Sequence, residues 1–214
     1  MIYCQQSFDL HPASPATRDR FVAAATELLL PANEDLGARL VGAWFCNEEW
    51  FSRIVHVTEL DDLAAFDAYR AALAKDPAAS KADRALGELS QARRTELLEP
   101  LGPVDVGALH AAIDRAAEKP AQTHTFAILE VTPGRMDDFC RMLGAPAGNL
   151  PIIASWRDVA GNPDRVIDLW EGDMGKQGYR PTNDAQNAFF EPLRELAPRE
   201  KMVRLHPLPY SPLQ

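Results

Sequence analysis

Leu40-Val41-Gly42-Ala43-Trp44, followed by Arg53-Ile54-Val55-His56-Val57-Thr58-Glu59, returns later in the chain as Ile152-Ile153-Ala154-Ser155-Trp156 and Arg165-Val166-Ile167-Asp168-Leu169-Trp170-Glu171. The arginine stands nine positions after the tryptophan both times. All four stretches are rich in Val, Ile and aromatic residues and are bounded by polar turns, which is the signature of strands. Working outward, Phe8-Asp9-Leu10-His11-Pro12 is answered by Leu129-Glu130-Val131-Thr132-Pro133, and Leu98-Glu99-Pro100-Leu101 by Leu205-His206-Pro207-Leu208. Four matched blocks in the same order read as an internal duplication, the kind of self-similarity to be sought before any motif.

Each copy reads strand, helix, strand, strand, helix, strand. In the first, Ile2–Leu10 is a strand; Ser14-Pro15 is a cap and first helical residue; Phe21, Leu28 and Leu29 give Thr17–Leu30 an apolar stripe. Asp61-Asp62 opens a second helix favourably for its dipole, with Leu63, Phe66, Tyr69 and Leu73 at helical spacing. Asp76-Pro77 interrupts it, and a further helical stretch leads to a closing strand around Leu97–Glu99. The order βαββαβ is the split-βαβ arrangement, whose sheet carries helices on one face only. The other face needs a cover, and the second copy is the natural one. The expected fold is therefore α+β: two tandem ferredoxin-like units packed sheet to sheet, residues 1–104 and 123–214, joined by a helical linker over 105–122 in which Val106, Leu109 and Ile113 form the apolar stripe.

The bulk numbers narrow the partners. The chain has 214 residues, 46% hydrophobic and 25% charged, as in an average globular protein. A net charge of −9 argues against a nucleic-acid binder, which needs a basic stripe, and against docking to an anionic membrane. Met1-Ile2-Tyr3-Cys4-Gln5-Gln6 shows no secretory signal, and no apolar run approaches the roughly 20 residues that span a bilayer, so a cytoplasmic location is expected. Cys4, Cys46 and Cys140 are odd in number and far apart, and fit buried thiols better than a disulfide framework or a zinc site.

On these residues the chain resembles the NIPSNAP family of the dimeric α/β-barrel superfamily. The resemblance rests on Met1-Ile2-Tyr3, the Leu-x-Pro strand exit, Leu-Val-Gly-x-Trp at 40–44, Val55-His56-Val57, Ala71-Ala72-Leu73-Ala74-Lys75-Asp76-Pro77 and Pro207-Leu208-Pro209-Tyr210-Ser211-Pro212. It covers nearly all of 1–104 and, more weakly but in order, 123–214; Gly172–Pro181 departs from it where the second copy's second helix should start. The resemblance implies two ferredoxin-like units closing a barrel within one chain, so a homodimer is not needed to close it but is left open through helices or strand edges. Its chemistry is not implied, because the superfamily holds cofactor-free oxygenases, cyclases, haem enzymes and plain binding proteins.

Strand alternation nominates the barrel lining. If Val55 and Val57 face the helices, His56 and Thr58 face the barrel; likewise Asp168 and Trp170 against Ile167 and Leu169, and Arg204 and His206 against Val203 and Leu205. Leu97 and Glu99 are the first copy's partners of that last pair, Tyr3 and His124 hold equivalent places on the opening strands, and Trp44 and Trp156 form walls. A histidine near a carboxylate serves as a general base, and an arginine holds an enolate or carboxylate. The expected catalytic set is thus His56, Asp168, Arg204 and His206, with Tyr3, Trp44, Glu99, His124, Trp156 and Trp170 around a small-molecule ligand. The structural alternative is that His56 hydrogen-bonds across the barrel and Arg204 pairs with Asp168. The five histidines form no His-x-x-x-His or Glu-x-x-His pair, the only one in an apparent helix is His110, and phosphate-binding and nucleophile-elbow motifs are absent, so no metal, haem or organic cofactor is expected. Two functions follow. One is an enzyme without a cofactor, moving protons on an aromatic or polyketide-like carbonyl compound as a cyclase, isomerase or oxygenase; the other is a binding or assembly module whose barrel holds a metabolite or nothing. Residues 172–180 read as either a lid or an irregular crossing.

Overall fold

The computed structural model of the chain describes residues 1–48, 50–144, 150–174 and 184–214, without the side chains of 185 and 186. It is mixed α/β, with antiparallel strand pairing in both halves of the chain. Among the described residues no helix is long and apolar enough to cross a membrane. The chain divides into two compact units, one of Met1–Leu97 with His206–Gln214, the other of Leu98–Leu205. These boundaries differ from the expected 1–104 and 123–214: residues 98–101 fall in the second unit and residues 206–208 in the first.

In the first unit β1 (Ile2–Leu10) pairs with β3 (Arg53–Leu60), which pairs with β2 (Arg39–Cys46); β2 receives the end of the last strand through Trp44 opposite Pro207 and Phe45 opposite His206. The first helix begins where Ser14-Pro15 predicts: α1 (Pro15–Ala24) is capped by Ser14, whose hydroxyl accepts from the Thr17 amide. It runs on through a π-helical segment (Ala25–Leu29) into α2 (Leu30–Asp35). Asp62 caps α3 (Leu63–Lys75) by accepting from Ala65 N, and Asp76 caps α4 (Pro77–Glu88) by accepting from Ala79 N, so Asp76-Pro77 ends one helix and starts the next. β4 (Ser90–Pro100) follows and is far longer than the three residues expected; Gln5 Nε2 of β1 donates to Glu96 Oε2 on it. The core lies between sheet and helices: Phe8, Leu10, Ala43 and Ile54 pack with Phe21, Ala25, Leu29, Ala82 and Leu86, joined by Leu208.

In the second unit α5 (Val106–Glu118), capped by Asp105, is a helix within residues 105–122, and it lies inside that unit. β5 (His124–Glu130) lies between β7 (Arg165–Glu171) and β8 (Arg199–Pro207), β6 (Ile152–Asp158) flanks β7, and Leu98–Pro100 of β4 pairs with β6. Here α6 (Met136–Gly144) and α7 (Asp184–Leu196) supply Phe139, Leu143, Leu193 and Leu196 to a core completed by Ala127, Leu129, Val166 and Trp170. The matched strands β2 and β6 also share an irregularity, a register shift between Leu40 and Gly42 in one and between Ile152 and Ala154 in the other. Residues 175–181 of the departing stretch, and so most of the lid reading, lie outside the described residues.

Candidate functional site

The register settles which way each nominated side chain faces, since residues directly opposite on antiparallel strands share a face. His56 stands opposite Gln6 and Ala43, on the side of Ile54 and Phe8, and its ring meets Phe21 of α1 at 5.8 Å between centroids. It therefore faces the helices, and Thr58 with it; Val55 and Val57 take the opposite face beside Trp44 and Gly42. Asp168 and Trp170 are turned the same way in the second unit, with Val166 and the helix residues Phe139, Leu143 and Leu193. Arg204, opposite Thr125, shares the face of Trp170, and His206, opposite Phe45, shares that of His56. The expected inward set is thus inverted for all six. The physical reason is that β3 and β7 are buried on both sides along five consecutive residues, so apolar alternation carries no information about the face.

Nor do the four expected catalytic groups share a site within a unit. In the first unit His56 is enclosed by Phe8 and Phe21 and hydrogen-bonds Tyr210 Oη through Nε2 at 2.7 Å, while His206 is exposed. Burial lowers the His56 imidazole to about 3, so it is neutral at physiological pH. In the second unit Asp168 accepts from Ser155 Oγ at 2.5 Å, and burial pushes it up to about 7. Arg204 Nε lies 2.8 Å from Asp173, so the expected Arg204–Asp168 pair is replaced by an Arg204–Asp173 pair. Glu99 accepts from Arg157 Nε at 2.6 Å. On the faces away from the helices, Tyr3 donates to Glu59 Oε2 at 3.0 Å, burial lowers His124 to about 4, Trp156 meets Phe126 edge-on, and Trp44 is fully buried.

The largest of the cavities described, about 520 Å³, belongs to the first unit and opens between α3, β1 and β4. Its floor is Cys4 and Gln6 on the helix side of β1; one wall is Phe66, Tyr69, Arg70, Leu73 and Ala74 of α3; the other is Arg93, Thr95 and Leu97 of β4, with Asp83 of α4. Arg93 and Thr95 are exposed although β4 is a sheet strand, because the helices leave this part of its face uncovered. Arg93 Nη1 pairs with Asp83 Oδ1, and the Arg70 guanidinium stands 5.7 Å from the centroid of the Phe66 ring. Tyr69 Oη donates to Asn33 Oδ1 at 2.8 Å inside the protein. Burial raises the Tyr69 phenol and pushes the Cys4 thiol up to about 12, so both hold their protons at neutral pH. The cavity thus presents a wall of aromatic and aliphatic side chains, an amide at the floor, and a guanidinium–carboxylate pair. In the sequence Phe66, Tyr69 and Leu73 read as a core stripe; the missed signal is Arg70, a charge set inside that stripe. Among the described residues no three His, Cys, Asp or Glu side chains are grouped to hold a metal.

No curated protein matches the sequence. Several solved structures share its fold. A "putative monooxygenase" from Lactobacillus acidophilus NCFM is 10% identical, with 95% of this chain and 92% of that one covered at a TM-score of 0.62. Another from Fusobacterium nucleatum has the same identity and score over 97% and 92%. An anthrone oxidase-like protein is 12% identical over 100% and 94%, at a TM-score of 0.56. At such identities the likeness is one of fold. Over residues 8–101, which include the whole lining of the cavity but Cys4 and Gln6, the sequence matches the NIPSNAP family model.

Proposed function

We propose that the first unit binds a planar, carbonyl-bearing small molecule in the cavity between α3, β1 and β4 and moves a proton on it. The observation that carries the reading is the Arg93–Asp83 pair beside an aromatic and aliphatic wall. The Asp83 carboxylate takes a proton from a carbon that the conjugated carbonyl makes acidic, and the Arg93 guanidinium holds the enolate oxygen that forms. Such a step runs on side chains alone and calls for no metal or organic cofactor. It is the common first step of cyclisation, isomerisation and cofactor-free oxygenation of aromatic ketones. The names of the fold neighbours, monooxygenase and anthrone oxidase-like, agree with a substrate of this class.

Anthrone in deuterated buffer tests the step, because exchange of its methylene protons is visible by NMR without knowing the final product. The protein is expected to speed the exchange, and Asp83→Asn to slow it by about a hundredfold or more with the melting temperature little changed. Exchange equally fast in parent and variant would overturn the mechanism. A second reading, binding without turnover, is favoured by the raised Cys4 and Tyr69 groups, neither of which is a base or nucleophile at neutral pH. Saturable binding with no exchange above the buffer rate would select it.

A further inference from the structure

We infer that the cavity selects an anionic ligand and that Arg70 sets this selectivity; the inference rests on the cavity being the ligand site. Three charged side chains line it: Arg70, Arg93 and Asp83. Asp83 is matched by Arg93, which leaves one positive charge in excess, in a protein whose net charge is −9. Among the described residues Arg70 pairs with no carboxylate; its guanidinium is held against the face of Phe66, a cavity residue. An arginine stacked on an aromatic ring keeps its in-plane N–H groups for a bidentate acceptor, which is the geometry of carboxylate and sulfonate recognition. Its field also reaches the floor, where it opposes the upward shift of the Cys4 thiol.

The rest of the lining fits such a ligand. Phe66, Leu73, Ala74 and Leu97 give an aromatic body an apolar surface, and the Gln6 amide at the floor makes no side-chain hydrogen bond among the described residues. Tyr69 is committed to Asn33, so it packs against the ligand's body without serving its charge. The ligand is then a planar aromatic compound with a carboxylate or similar anion at the Arg70 end and a hydrogen-bonding group toward Gln6.

Two probes that differ in one sulfonate test this: 1-anilinonaphthalene-8-sulfonate and the neutral N-phenyl-1-naphthylamine, both titrated by fluorescence. Trp50 and Phe51 are exposed elsewhere on the same unit, so location is fixed by Ala74→Trp, which fills the cavity. The sulfonate is expected to bind about tenfold tighter than the neutral probe, as for one charge-assisted contact. Arg70→Ala should erase that difference by weakening the sulfonate far more than the neutral probe, Arg70→Lys should keep part of it, and Ala74→Trp should weaken both. Equal affinities in the parent, or an Arg70→Ala that lowers both alike, overturn the inference while the cavity reading stands. Probes that bind but ignore Ala74→Trp overturn the cavity reading and the inference with it.

Discussion

A methyl group added at Gly42 would place its carbon 1.9 Å from Cη2 of Trp44, deep inside contact distance. Gly42 is therefore glycine because the indole two residues on folds back over its backbone, on the face away from the helices, and is fully buried there. Trp44 is a packing residue, held by the bulge in β2, and the same geometry explains why Leu-Val-Gly-x-Trp is so distinctive a stretch. Gly42→Ala is expected to cost about 1–3 kcal/mol, the usual penalty of overpacking a filled core. A lower urea midpoint with an unchanged slope is the measurement, accompanied by a shift in tryptophan emission. An unchanged midpoint would show that the ring can move aside.

His56 and Asp168 occupy matched positions in β3 and β7, and their burial has opposite consequences for pH. The His56 imidazole titrates near 6.5 when unfolded and about 3 when folded, so between these values the unfolded chain binds the extra proton. Its contribution is complete above pH 6.5 and is lost as the pH falls toward 3. The Asp168 carboxyl titrates near 3.8 unfolded and about 7 folded, so here the folded chain holds the extra proton. Stability then falls as pH rises from about 4 to 7 and stays lowered above. Asp168→Asn keeps an acceptor for Ser155 and removes the ionisation, so relative to the parent it should gain on the order of 1–3 kcal/mol between pH 5 and pH 8. Urea unfolding at the two pH values measures this, and a gain that does not change with pH would refute it. These two residues also mark where sequence legibility ends. The strands, caps and helix starts are readable because each has a local cause, such as Ser14-Pro15 or Asp76-Pro77. The direction of His56 is not, because Ile54, Val55, Val57 and Thr58 are all buried and only the register tells the faces apart. The cavity is hidden for a related reason: the apolar pattern marks only the end of β4, and Arg93 and Thr95 fall outside it.

At the scale of the whole chain, residues 98–101 belong to the second compact unit and residues 206–208 to the first. Leu101 N donates to Ser155 O at 2.8 Å in the second unit, and Leu208 N donates to Ala43 O at 2.9 Å in the first. The first block thus docks on β6 and the end of the other on β2 through the same hydrogen bond, which is why the matched Leu-Glu-Pro-Leu and Leu-His-Pro-Leu are legible as a pair. In the first unit this makes the last residues structural. Leu208 joins the core around Phe8 and Phe21, Leu213 is buried, Ser211 Oγ accepts from Ala43 N, and Tyr210 supplies the partner of His56. Removing residues 208–214 exposes a core surface that two leucines covered, each worth about 1.5–3 kcal/mol. It also strips His56 of its partner, at a further cost of about 1–3 kcal/mol. A loss of that size approaches the whole stability of an ordinary domain. The truncated chain is therefore expected to melt at least about 10 °C lower, or not to fold. Leu208→Ala alone should cost about 2–4 kcal/mol, and so should Leu101→Ala in the other unit, since both leave the hydrogen bond and remove the buried side chain. Scanning calorimetry on the truncation and the two point variants decides it. A truncated chain melting within a degree or two of the parent would show that the C-terminal segment merely lies against a unit already complete without it.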